Sequence, residues 1–265
     1  MAYDSLTYNP SCQPDTWILL IGPDRYASAA IDPFNRFLLQ AEWSDLDLYK
    51  PDFFSQRAKA IFTERTEIRK IRVCFLLPEW FWTPTSLDAE VPASHGPTTG
   101  WPDIAGHSWI NDQIVSADAT ASVRVPQQIL HQLNQHTNSL EYKHCSVFSV
   151  RERPATGPQL EILRVGQICW FSLWQSERFL YGQPHPISHA DDLLYVLSLL
   201  AAKYDLPTDR LNLTLSGDWS LDSPCLDPLR QRFPQLHTRE STWKKLPGDH
   251  PAHWYTPLED IFSCA

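Results

Sequence analysis

The sequence predicts an α+β or α/β chain made of two βββαβ halves in tandem, each carrying a mixed sheet. Three observations predict it. Short apolar or alternating runs come in the same order in both halves, and a helical stripe follows the third run in each. Equivalent landmarks are also displaced by near-constant offsets: 143 residues from Trp17 to Leu160, 142 from Phe37 to Phe179, 137 from Pro51 to Ser188 and 140 from Ile71 to Leu211.

In the first half, Trp17 to Ile21 is a short apolar run that reads as a buried strand. After the turn at Gly22-Pro23-Asp24, Arg25 to Ile31 reads as its hairpin partner. Asp32-Pro33 makes a second turn. Phe37, Leu39, Ala41 and Trp43 then alternate with Leu38, Gln40 and Glu42 as a half-buried strand. Pro51 opens a helix where its missing N–H is no loss, and Phe54, Ala58, Ile61 and Phe62 form its apolar stripe. Ile71, Val73, Phe75 and Leu77 alternate as a fourth strand, stopped by Pro78.

The second half follows suit. Leu160 to Val165 is a strand, Gly166-Gln167 a turn, Ile168 to Trp174 a second strand and Arg178 to Gly182 a third. Ser188 is the expected helix cap, with Asp191 three residues on, and Leu193, Leu194, Leu197 and Leu200 supply the core face. Leu211, Leu213 and Leu215 mark the fourth strand. Three antiparallel strands, a crossover helix and a fourth strand parallel to the first describe the ribonuclease-H-like arrangement. The expected division is 15–140 and 141–265, with a Pro/Gly-rich insert at 84–106 that reads as a surface loop. Trp109 to Val115 reads as a strand, Pro126 opens a helix with Ile129, Leu130 and Leu133 on one side, and Trp254 to Phe262 reads as a docked terminal helix.

Composition bounds the function classes. With 43% hydrophobic and 20% charged residues the chain is an ordinary globular one. A formal charge of −9 argues against nucleic acid or an anionic membrane as partner through bulk attraction. The polar start reads as no signal peptide, and no apolar run approaches the roughly 20 residues of a membrane span, so a cytoplasmic protein without membrane insertion is expected. Six single cysteines without a CxxC pair make a zinc knuckle or redox dithiol improbable. Eleven tryptophans are read mainly as core or interface packing.

Actin-type ATPases hold phosphates between two glycine hairpin turns, one per half, each preceded by an Asp that serves magnesium. Here the first turn is Ile21-Gly22-Pro23-Asp24. Pro23 removes a donor, and the carboxylate follows the glycine instead of preceding it. The second turn, Arg164-Val165-Gly166-Gln167, carries no carboxylate. Leu213 to Asp218 ends the fourth strand of the second half in a small-residue turn of the kind that faces the adenosine in ATP-binding relatives. Gly22, Gly166, Gly217 and Asp218 are therefore the candidate cofactor-binding residues. No catalytic residue and no metal ligand is assigned. Of His185, His189, Asp191 and Asp192, the two aspartates are explained by a helix start at Ser188 and His185 sits in a Pro-His-Pro loop; adjacent His144-Cys145 does not place a base facing a thiolate.

The chain resembles an uncharacterised Bacteroidetes family of unknown function with an actin-like ATPase fold, akin to pilus-assembly actin homologues. The resemblance rests on Val73 to Pro84 (VCFLLPEWFWTP), Gln175 to Tyr181, Asp191-Asp-Leu-Leu-Tyr195 and Leu215-Ser-Gly217, and spans roughly Asp15 to Leu236. It implies the fold and brings no established reaction with it. The functional expectation is a catalytically silent actin-like scaffold or protein-binding module with a protein partner and no cofactor. The alternative is a divergent ATP-binding protein or ATPase that uses magnesium-ATP in the cleft between the halves.

Overall fold

The computed structural model describes residues 16–32, 37–48, 70–84, 104–114, 118–136, 139–148, 157–175, 178–244, 246–248 and 250–263. The expected helix after Pro51 and most of the 84–106 insert lie outside these residues.

The first sheet contains β1 (Thr16–Ile21), β2 (Arg25–Asp32), β3 (Phe37–Asp45) and β4 (Lys70–Phe75). β1 pairs antiparallel with β2 and parallel with β4, as the alternation and the crossover demand. An insert follows: β5 (Trp80–Pro84), β6 (His107–Ile114) and β7 (Ala119–Pro126) form a separate antiparallel sheet in the order β5-β7-β6, and α1 (Gln127–His136) comes next. β8 (Leu140–His144) then returns to pair parallel with β4.

The second sheet contains β9 (Pro158–Val165), β10 (Ile168–Gln175) and β11 (Arg178–Pro186). The helix α2 (Ala190–Lys203), β12 (Asn212–Gly217), α3 (Asp227–Arg232) and β13 (Leu236–Thr238) follow. Its strand order, β11-β10-β9-β12-β13, matches the first sheet's β3-β2-β1-β4-β8 position for position, with the same parallel and antiparallel senses. A register shift interrupts the second-to-third strand pairing in both sheets, at Ala30/Ile31 and at Leu173/Trp174. The chain closes with α4 (Thr256–Ser263).

Strand period two sorts the side chains into three cores. Ile18 and Leu20 of β1 point into a central core, while Trp17, Leu19 and Ile21 point the other way. The central core is shared by both sheets. Leu163, Val165, Ile168 and Trp170 meet Ile18, Leu20, Ala27 and Ala29 there, and Tyr255, Leu258 and Ile261 of the terminal segment complete it. The outer face of the first sheet is covered by the insert sheet and α1 through Ile110, Val123, Val125, Ile129 and Leu133. α2 and α3 cover the outer face of the second.

One local expectation changes. The residue that caps α2 is His189, not Ser188, and the carboxylate that reaches back is Asp192, which accepts the N–H groups of Ser188 and His189. Only the third helical residue stands close enough to return to both donors. At the described ends of the 84–106 insert, Pro84 closes β5 and His107 opens β6 just beyond it. No described helix is long and apolar enough to cross a membrane.

Candidate functional site

The two glycine turns meet at one end of the central core. The β1–β2 turn carries Gly22, Pro23 and Asp24, and is closed by the Gly22 N–H donating to the Arg25 carbonyl at 2.8 Å. The β9–β10 turn carries Gly166 and Gln167. Asp218 follows β12 directly, and its N–H donates to the Arg164 carbonyl at 3.2 Å.

Between these turns the backbone donors are already engaged. The Gln167 N–H donates to both Asp24 oxygens, at 3.2 and 3.1 Å. The Gly166 N–H donates to both Asp218 oxygens, at 3.3 and 3.1 Å. Successive N–H groups around a left-handed residue form a nest for an anion, and Gly166, at φ 62°, has that backbone. A Cβ on Gly166 would collide with the Asp24 carboxylate. At Gly217, with φ 85°, it would collide with the Arg164 carbonyl. On Gly22 it would stand 2.8 Å from Val165 Cγ1. The structure thus brings Gly22, Gly166, Gly217 and Asp218 to one place, and the neighbours they meet are other parts of the same chain.

Four residues that sequence reasoning did not assign complete the joint: Asp24, Arg25, Arg164 and Gln167. Arg25 forms an ion pair with Asp218 at 3.0 Å across the two sheets, the Asp218 side chain being 1% exposed and that of Arg25 27%. Arg164 donates from Nε to the Gly166 carbonyl at 2.8 Å and lies 5.0 Å from the Trp219 ring centroid. Burial pushes the Asp218 carboxyl up to about 6, against the lowering pull of Arg25, Arg164 and the Gly166 N–H. Aromatic rings wall the arginine: Arg25 stands 5.9 Å from Trp43 and 5.5 Å from Trp254, and those two rings meet edge-on at 5.6 Å. Among the described residues neither Arg25 Nε nor Trp43 Nε1 finds an acceptor. Asp24 was visible in the sequence as a carboxylate on the wrong side of its glycine. Nothing local marks Arg25 as the partner of Asp218.

The remaining candidates have packing roles. His144 is fully buried, stacked on Trp80 at 4.8 Å, and its Nδ1 accepts the Ser146 N–H at 3.1 Å. The proton is therefore on Nε2, which faces Cys145 Sγ at 3.6 Å as a donor and not as a base. Burial pushes the imidazole down to about 3 and the Cys145 thiol well up, so no thiolate forms there. His185 bonds the Tyr181 hydroxyl, and among the described residues no group of three His, Cys, Asp or Glu side chains is placed to hold a metal ion.

No protein-family model matches the chain, and no curated protein matches it either. Solved structures do. A protein of unknown function with an actin-like ATPase fold from Bacteroides thetaiotaomicron aligns with a TM-score of 0.72 at 11% identity, over 98% of this chain and 100% of that one. The PilM-PilN type IV pilus biogenesis complex aligns with a TM-score of 0.61 at 10% identity, over 94% of this chain and 98% of the matched chain. With two sheets of identical strand order and these neighbours, the chain has the actin-like ATPase fold.

Proposed function

We propose that the chain is a catalytically silent actin-like protein that works in the cytoplasm as a scaffold or protein-binding module. In this reading the two sheets are repeats of one βββαβ unit, 15–140 with β8 carried along and 141–265. The observation that carries it is the direct contact of the two glycine turns. Phosphate binding at such turns needs free N–H groups and a gap between them. Here Gly166 and Gln167 donate to carboxylates of the chain itself, and Gly22 packs against Val165. An incoming nucleotide phosphate would meet the charges of Asp24 and Asp218, with Arg25 already paired to one of them. The protein-partner part of the reading draws on a fold neighbour that belongs to a protein–protein complex, PilM-PilN.

Calorimetric titration with ATP and magnesium tests the reading. No binding heat is expected up to millimolar nucleotide. Micromolar binding would overturn it in favour of a divergent ATP-binding protein or ATPase that uses Gly22, Gly166 and Gly217 to line an opened cleft.

A further inference from the structure

Among the described residues two large apolar side chains stand in water one turn apart on α2: Tyr195, 69% exposed, and Leu199, 50% exposed. Single exposed apolar residues are ordinary on a surface, but a pair at i and i+4 forms a ridge. The ridge runs on to a charge at each end. Asp191 is exposed one turn before Tyr195, and Lys203 is exposed one turn after Leu199. The other acid of the first turn, Asp192, is turned back onto the Ser188 and His189 N–H groups. Lys203 Nζ lies 5.2 Å from the Tyr204 ring centroid and 5.9 Å from that of Tyr181, which hold the ammonium at the C-terminal end. Burial of Leu193, Val196, Leu197 and Leu200 in the second half's outer core fixes which face of the helix looks outward.

Acid, aromatic, aliphatic and base at a spacing of four is a self-complementary order. Tyr195 and Leu199 are equally far from Leu197 along the helix, and so are Asp191 and Lys203. A two-fold axis at that level lays each Tyr195 on the other copy's Leu199 and each Asp191 against the other copy's Lys203. Such i±4n ridges interdigitate when the helices cross at about 50°. A parallel pair would instead set Asp191 against Asp191 and Lys203 against Lys203, so charge selects the antiparallel one. We propose that α2 is a self-association face through which two copies of this chain pair about a two-fold axis. The stripe is about 18 Å long, so the dimer is a weak one that forms at high protein concentration. The inference goes beyond the silent-scaffold reading and uses none of the groups at the glycine turns.

Sedimentation equilibrium of the full chain, from micromolar to millimolar protein, tests it. A monomer–dimer equilibrium is expected, and Leu199→Asp is expected to weaken it by about tenfold or more. Asp191→Lys and Lys203→Asp each bring like charges together and are each expected to weaken it. The double variant, which restores opposite charges, is expected to recover most of the wild-type association, a recovery that a folding defect does not imitate. A chain that stays monomeric at millimolar concentration overturns the proposal and leaves the face to a partner of different composition. Dimers that Leu199→Asp leaves unchanged, or a double variant no better than either single one, overturn it as well. ATP binding would sink the silent-scaffold reading without touching these measurements, and a monomeric chain would sink the pairing while leaving that reading in place.

Discussion

Two of the regions through which the described parts of the halves touch have opposite chemistry. Below the turns lies an apolar seam in which Trp170 meets Trp80 at 4.7 Å and Ile18, Leu20, Val165 and Leu258 exclude water. At the end of that seam lies the polar joint of Asp24, Arg25, Gly166 and Asp218, which holds two carboxylates against one paired guanidinium and leaves Arg25 Nε without an acceptor among the described residues. Burial of apolar surface is favourable whatever the partner's orientation, whereas a buried charge returns its desolvation cost only in one geometry. The seam therefore holds the halves together, and the joint specifies how the turns sit.

Truncating the seam has the largest expected effect. Trp170→Ala removes a side chain that is 1% exposed and donates from Nε1 to Ser172 Oγ at 2.8 Å. It should cost about 3–5 kcal/mol in urea unfolding, by nearly the same amount at pH 5 and pH 7.5. A much smaller loss would mean that the seam is not what joins the sheets. Arg25→Ala comes next and should depend on pH. At pH 7.5 it leaves the Asp218 charge buried without its partner, at a cost of about 2–3 kcal/mol; at pH 5, where Asp218 is largely protonated, the loss should be about 1 kcal/mol or less. An equal loss at both values would erase the contrast between seam and joint. Asp24→Asn is the mildest. Its carboxylate sits at the exposed edge of the joint, so the expected loss is about 1 kcal/mol, read as a small shift of the unfolding midpoint in the same assay.

Much of the fold was legible because it is written in local period. Trp17 to Ile21 and Ile168 to Trp174 appear as strands in the sequence and in the structure, and the parallel pairing of the first and fourth strand holds in both sheets. The strands that sequence reasoning missed lack such a signature. β8, Leu-Glu-Tyr-Lys-His, alternates over five residues only, and β13 is three residues long, so each is too short to stand out. Each is a strand because a parallel neighbour, β4 or β12, supplies its hydrogen bonds. In β7 the small residues of Ala-Thr-Ala-Ser hid a strand that is almost wholly buried between β5 and β6.

The candidate site divides along the same line. Gly22 and Gly166 were legible as turns because two short apolar strands flank each one, and turn chemistry acts over three or four residues. That Asp24 covers the Gln167 amide, 143 residues away, and that Arg25 reaches Asp218 across the sheets, is a consequence of how the two sheets pack. Hydropathy along the chain decided where the strands run and that two similar units follow one another. Only the tertiary structure decided that the turns close on each other through the chain's own carboxylates, because long-range contact is set by the shared core beneath them and leaves no mark on the residues next to either turn.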